Sequence, residues 1–191
     1  ILVSKYLYHD DVRTHGSGAA GMTNMLRTFG KKAAALTAVG DVLKGVVAVC
    51  LGRWLFGHLP ADAAVSPYLG VYLAAILAVV GHSKPIYFGF KGGKAVATAA
   101  AVALMIDWRV FLSAFAVFAI VAALSKTASV SSMSASVAVA AMTPVFTRNP
   151  VLISLGIFTC LLVLLMHRSN IRRLISGTEP HFHFGKHPGK Q

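Results

Sequence analysis

The chain has 191 residues, 56% of them hydrophobic and 13% charged, with a mean hydropathy of +0.69 and a formal net charge of +12. A soluble domain carries nearer a quarter charged residues, so this composition excludes an ordinary water-soluble globule and describes a membrane protein. The basic excess does not imply nucleic acid, because the cations sit between apolar runs and not on a water-soluble face.

The chain opens at Ile1-Leu2-Val3, read as the tail of an apolar helix lying upstream. Residues 1–32 are polar and glycine-rich and form a first loop. Apolar runs follow at about 33–52, 67–81, 94–106, 109–124, 130–147 and 151–166, and a basic tail covers 167–191. The predicted fold is all-α: one domain over 1–191, a polytopic transmembrane helix bundle with six spans inside 33–166 and a seventh expected before Ile1. Several runs are shorter than the roughly 20 residues of a lone spanning helix, which predicts a compact bundle. Cys50 and Cys160 both lie in apolar runs and read as buried thiols, not as a disulfide pair.

Alternating the six spans places fourteen of the 18 basic residues on one side and only Arg53, Arg109 and Arg148 on the other, with Lys44 inside a span. By the positive-inside rule the crowded side is cytoplasmic. Every glycine- and hydroxyl-rich loop falls on that face.

Four of those loops carry candidate chemistry. Gly16-Ser17-Gly18-Ala19-Ala20-Gly21 has the letters of a dinucleotide fingerprint, but no strand precedes it and Asp41 lies in an apolar run, so that reading fails. Ser17, Gly18, Thr23, Asn24 and Arg27 instead supply small and polar groups for one pocket, with an arginine fork suited to phosphate; a flexible polar loop is the plainer reading. Asp41 and Lys44, three apart on one helix, are read as a structural ion pair.

Lys91-Gly92-Gly93-Lys94 precedes an alanine-rich run. Glycine backbone N–H groups, a helix N-terminus and two ammonium groups suit a phosphate, and a basic turn at the headgroups is equally open. The hydroxyl-rich stretch 125–132 is a weak signal for a ligand and a fair one for close helix packing. His167, Asn170 and Leu174 share one helical face after the last run, with Arg173 beside them. Glu179, the one glutamate of the chain, could brace the loops through an arginine. The tail histidines His181, His183 and His187 would bind metal only adventitiously; no metal site and no cofactor are expected.

Taken in order, these motifs resemble the bacterial acyl-phosphate:glycerol-3-phosphate acyltransferases of the PlsY type. The first family motif, GSGN-x-G-x-TN-x-x-R-x-x-G-K, aligns with Gly16 to Lys31, and Asp41-Val42-Leu43-Lys44-Gly45 with its D-x-x-KG. Gly81-His82 and Phe90 to Thr98 match GH…FKGGKGVAT, and His167 to Leu174 with Gly177-Thr178-Glu179 match HR-x-NI-x-RL…GTE. Ala19 replaces a usual Asn, Ala95 a usual Gly, and Lys84 a commonly apolar residue.

The resemblance implies seven transmembrane helices with an external N-terminus in the bacterial inner membrane, with the motif loops cytoplasmic. It implies transfer of a fatty acyl group from acyl phosphate to the 1-hydroxyl of glycerol 3-phosphate. Ser17, Arg27, Lys91 or Lys94, His167 and Asn170 fall on the family's important positions, with Lys94 taken as the catalytic one of the two lysines. Gly18, Thr23, Asn24, Lys91, Gly92 and Gly93 would hold phosphate, with Gly92 and Gly93 donating backbone N–H groups, and Asp41, Lys44, Arg173 and Glu179 would support the site. Expected partners are the two substrates, the lipid bilayer and the enzyme that supplies acyl phosphate, with no nucleic acid. The alternative function is a small transporter or channel for a phosphorylated or organic anion, which predicts mid-membrane polar residues on several spans.

Overall fold

A computed structural model describes residues 1–58 and 67–181. Its elements are α1 (Leu2–Leu7), α2 (Met22–Gly57), α3 (Pro67–Ser83), α4 (Val96–Ile106), α5 (Trp108–Ser125), α6 (Ala128–Phe146), α7 (Pro150–Met166) and α8 (Arg168–Ile175), with no strand among the described residues. The all-α bundle expected from the apolar runs is therefore present. The loop at 59–66 and the tail at 182–191, including His183 and His187, lie outside the described residues.

Each apolar run folds as a helix, but their lengths change the span count. Four helices are long and apolar enough to cross a membrane, and α7 with α8 makes a fifth if that pair, bent by 55°, is one span. α4 has 11 residues and rises only about 16 Å, half the hydrocarbon thickness. It survives as a short element because bundle neighbours surround it: Thr98, Ala99, Ala101, Val102 and Ala103 are all buried.

The first loop also needs correction. Residues 22–29 are helical: Met22, Met25, Leu26 and Phe29 recur at a helical period, and of these Met25 is buried in a cluster on which Phe29 packs. The helix then breaks at Gly30, whose φ of 85° is a conformation that side chains disfavour, and resumes as the long span.

Local chemistry sets the turns. The Asp107 carboxylate accepts the Arg109 N–H at 2.7 Å and caps α5. Asn149 accepts from Val151 and Leu152, with Pro150 at the first helical position of α7. α5 and α6 pack along each other, as do α2 with α3 and α6 with α7. α4 meets α5 at its far end, where Ala103, Val110, Ala114 and Val139 form a buried cluster. Ala103, Ala114 and Val139 of this cluster also wall a cavity between the helices, which the motif-bearing segments line as well.

Candidate active site

Asn24 organises the first segment. It is 3% exposed, its amide donates to the carbonyls of Val12 (2.9 Å), His15 (2.9 Å) and Ala19 (3.1 Å), and its carbonyl oxygen accepts the Ser17 N–H at 3.2 Å. One buried side chain thus folds residues 12–19 around itself. With its polar atoms so engaged, Asn24 shapes the loop and is not a free phosphate ligand, a correction to its expected role. Arg27, three residues further along the same helix, lines the cavity and has no hydrogen-bond partner among the described residues. The exposed Ser17 side chain and Thr23 line the cavity too; Gly18 does not.

The second segment threads between the first and the inner end of α3. Gly93 N–H donates to the His82 carbonyl at 3.1 Å, and Ala20 N–H donates to the Gly92 carbonyl at 3.3 Å. A Cβ at Gly92 would overlap the His82 carbonyl, and one at Gly93 would overlap the His82 ring and the Ala20 carbonyl. The two glycines are therefore required by close backbone packing. The Gly93 N–H is already used, and neither glycine lines the cavity described below. Lys91 is exposed and outside the cavity, whereas Lys94 lines it.

Lys94 has no hydrogen-bond partner among the described residues. Burial, assisted by the nearby Arg173 and Arg27 charges and opposed by Glu179, lowers its ammonium to about 8. Ala95, which follows, is buried with φ of 60° in the left-handed region and precedes α4. Beneath this segment Lys44 Nζ meets Asp41 Oδ1 at 2.6 Å, and His82 Nδ1 lies 3.3 Å from the same oxygen and also contacts Lys44. Asp41 and His82 reach the cavity; Lys44 does not.

The third segment is the junction of α7 and α8. His167 is 2% exposed, and its Nδ1 lies 2.8 Å from the Val163 carbonyl, so Nδ1 carries the proton and Nε2 keeps its lone pair. Burial, with a contribution from the Lys94 charge, lowers this imidazole to about 4, and it is neutral at physiological pH. Asn170, 4% exposed, donates to Glu179 Oε1 at 2.6 Å, while its own Oδ1 is buried without a partner. Glu179 Oε2 accepts Arg173 Nε at 2.8 Å. Burial would raise the Glu179 carboxyl, but the bonds from Asn170 and Arg173 outweigh it and hold it below its ordinary value. Thr127 Oγ1, 3.1 Å from His181 Nδ1, joins the following chain to the α5–α6 turn.

These segments bound one cavity of about 280 Å³. Its mouth holds Ser17, Arg27, Lys94, His167, Asn170 and Arg173, so all five residues expected to be catalytic face one space. Its depth is mostly apolar, walled by alanines of α4, by Phe111, Phe115 and Phe118 of α5 and by Val139 and Val163, with the small hydroxyl side chains of Ser136 and Thr159 among them. The phenylalanine stripe escaped the sequence reading, although 111, 115 and 118 share a helical face and Phe111 stacks on Phe115 at 6.0 Å. The hydroxyl stretch, given little weight above, contributes Ser129 and Ser132 to the wall. Chemically, the mouth offers unpaired cations for an anion and two unpartnered acceptors, His167 Nε2 and Asn170 Oδ1, for a hydroxyl donor. The depth offers a mostly apolar environment of alanine, valine and phenylalanine side chains.

The glycerol-3-phosphate acyltransferase family profile matches residues 1–177. A glycerol-3-phosphate acyltransferase of Trichormus variabilis is 44% identical over 185 residues, covering 92% of this chain and 81% of its own. One from Neisseria meningitidis is 42% identical over 180 residues, covering 94% and 87%. Two crystal structures of PlsY (YgiH), an integral membrane glycerol 3-phosphate acyltransferase, match with TM-scores of 0.84 and 0.82 at 31% and 30% identity. Each match covers 95% of this chain and 87% of that one; the first is the glycerol 3-phosphate form and the second the lysophosphatidic acid form.

Proposed function

This chain belongs to the glycerol-3-phosphate acyltransferase family of integral membrane enzymes, and on that premise we propose that its acyl donor is an acyl phosphate. The acyl group passes to the 1-hydroxyl of glycerol 3-phosphate, giving lysophosphatidic acid and phosphate at the cytoplasmic face of a bacterial inner membrane. The observation that carries this reading is the two-part cavity, with unpaired cations at the mouth and a mostly apolar depth behind them. An acyl phosphate has that same division, one anionic end and one alkyl chain.

Arg27 and Lys94 hold phosphoryl oxygens, Arg27 as a fork and Lys94 as a point charge. Arg173 adds positive potential while fixed to Glu179. His167 Nε2 and Asn170 Oδ1 accept hydrogen bonds from the glycerol hydroxyls, which aims the 1-oxygen at the acyl carbonyl. Ser17 at the rim donates to the carbonyl oxygen as it becomes negative. The 1-oxygen forms a bond to the carbonyl carbon, and the carbonyl-to-phosphate C–O bond breaks with its electron pair leaving on phosphate. The hydroxyl proton passes to that phosphate. An imidazole lowered to about 4 is a weak base, whereas a phosphate dianion accepts a proton at about pH 6. His167 therefore orients, and the leaving group serves as the base.

The test uses full-length protein in vesicles, with glycerol 3-phosphate and either palmitoyl phosphate or palmitoyl-CoA. Lysophosphatidic acid from the phosphate donor alone is expected. Product from the thioester alone would overturn the donor assignment.

A further inference from the structure

Residues 84–91 link α3 to the Lys94 segment, and the proposed chemistry uses none of their side chains. Three of them are large, apolar and exposed: Ile86 at 73%, Tyr87 at 94% and Phe90 at 57%. Lys84 and Lys91 flank them and are exposed too.

The loop is held in shape. Ile86–Phe88 forms a 3-10 turn, and the Phe90 N–H donates to the Pro85 carbonyl at 3.0 Å. Phe90 itself has φ of 58°, a left-handed conformation strained for a bulky residue and kept only where surroundings impose it. Arg13 imposes it: Nη1 donates to the carbonyls of Phe88 (2.7 Å) and Lys91 (3.3 Å). Asp11 fixes the guanidinium through bonds of 2.9 and 2.7 Å. The Phe88 ring turns under the cations, 5.6 Å from Lys5 Nζ and 5.7 Å from the Arg13 guanidinium carbon. Its neighbours are left projecting outward from a braced turn.

We infer that Ile86, Tyr87 and Phe90 insert into the headgroup layer of the surrounding anionic membrane, with Lys84 and Lys91 on lipid phosphates, and so set the level at which Lys94 meets the bilayer. The apolar stretch long enough to span runs Tyr68–Phe88, so the Ile86–Phe88 turn that follows α3 is the end of that stretch and lies at the membrane surface. An aliphatic residue, aromatics and flanking lysines are the side chains that settle at that depth. The carboxylate in the brace, Asp11, is matched by Arg13 and by Lys5 at 3.7 Å. The patch is left positive, which suits an anionic lipid surface and not a basic protein.

The test places a nitroxide at position 87, and separately at 86, through Tyr87→Cys or Ile86→Cys in a Cys50→Ala/Cys160→Ala background. Power-saturation spectroscopy in vesicles containing phosphatidylglycerol then compares collisions with oxygen and with a water-soluble nickel chelate. Labels about 5–10 Å below the phosphate plane are expected, moving outward on Lys84→Glu. Labels that collide with the nickel chelate as freely as a nitroxide in water would overturn the inference and leave the patch to a soluble partner. Because depth and not turnover is read, the result is independent of the acyl donor.

Discussion

The protonation of Lys94 yields the sharpest consequence of the site geometry. Its ammonium titrates at about 8, so at pH 7 about nine-tenths of the empty enzyme carries the charge and at pH 9 about one-tenth does, from the proton-binding equilibrium. If Lys94 must be charged to grip phosphate, kcat/KM for glycerol 3-phosphate falls about tenfold between pH 7 and 9, since that ratio reports the free enzyme. The loss is in KM. A bound phosphate stabilises the ammonium, so kcat stays level to higher pH. Lys94→Arg keeps a charge throughout this range and should remove the alkaline fall, even with a lower plateau. The assay measures initial rates with acyl phosphate in vesicles from pH 6.5 to 9.5, with calorimetric glycerol 3-phosphate binding as a control for donor hydrolysis. A wild-type kcat/KM level through pH 9.5, or an unchanged fall in Lys94→Arg, would refute the reasoning.

Further outcomes follow from other residues. Asn170→Ala removes the unpartnered acceptor and strands Glu179 Oε1, and should lower kcat/KM about 10–100-fold, worth roughly 1.5–3 kcal/mol as for a hydrogen bond to a charged group; steady-state kinetics check this. Glu179→Gln turns an amide towards Arg173 or Asn170 and should destabilise the fold by about 2–3 kcal/mol, visible as a lower thermal midpoint in detergent. Ala95→Gly relieves a left-handed alanine and should raise stability by up to about 1 kcal/mol after the entropy of glycine is counted. His167 is held neutral with its folded value below its unfolded one, so its contribution is complete above about pH 6.5 and declines as pH falls towards about 4. His167→Gln should flatten the fall in thermal midpoint between pH 6.5 and 5.

Much of the site was legible because its parts are short motifs whose chemistry does not depend on packing. Arg27, His167 and Asn170 needed only their residue types and order, whereas the choice between Lys91 and Lys94 needed the cavity, which Lys94 alone of the two lines. What stayed hidden depended on who packs against whom. Gly92 and Gly93 looked like anion donors, yet their lack of Cβ serves contact with His82 and Ala20, and that contact joins residues ten or more positions apart. Asn24 looked like a ligand, but three loop carbonyls claim its amide. The apolar runs set the helix identities well, while the helical start at Met22 was masked by the glycines and lysines around it. α4 could be seen as short, but only the bundle shows why a helix of 11 residues is stable there.

The central claim is direct transfer between two substrates held side by side in one cavity. A rapid-quench experiment tests it: protein in vesicles is mixed with acyl phosphate alone, and inorganic phosphate and protein mass are followed within one turnover. Direct transfer predicts no phosphate release until glycerol 3-phosphate is added, and an unmodified chain throughout. A burst of about one phosphate per chain with an acyl group on Ser17 would contradict it.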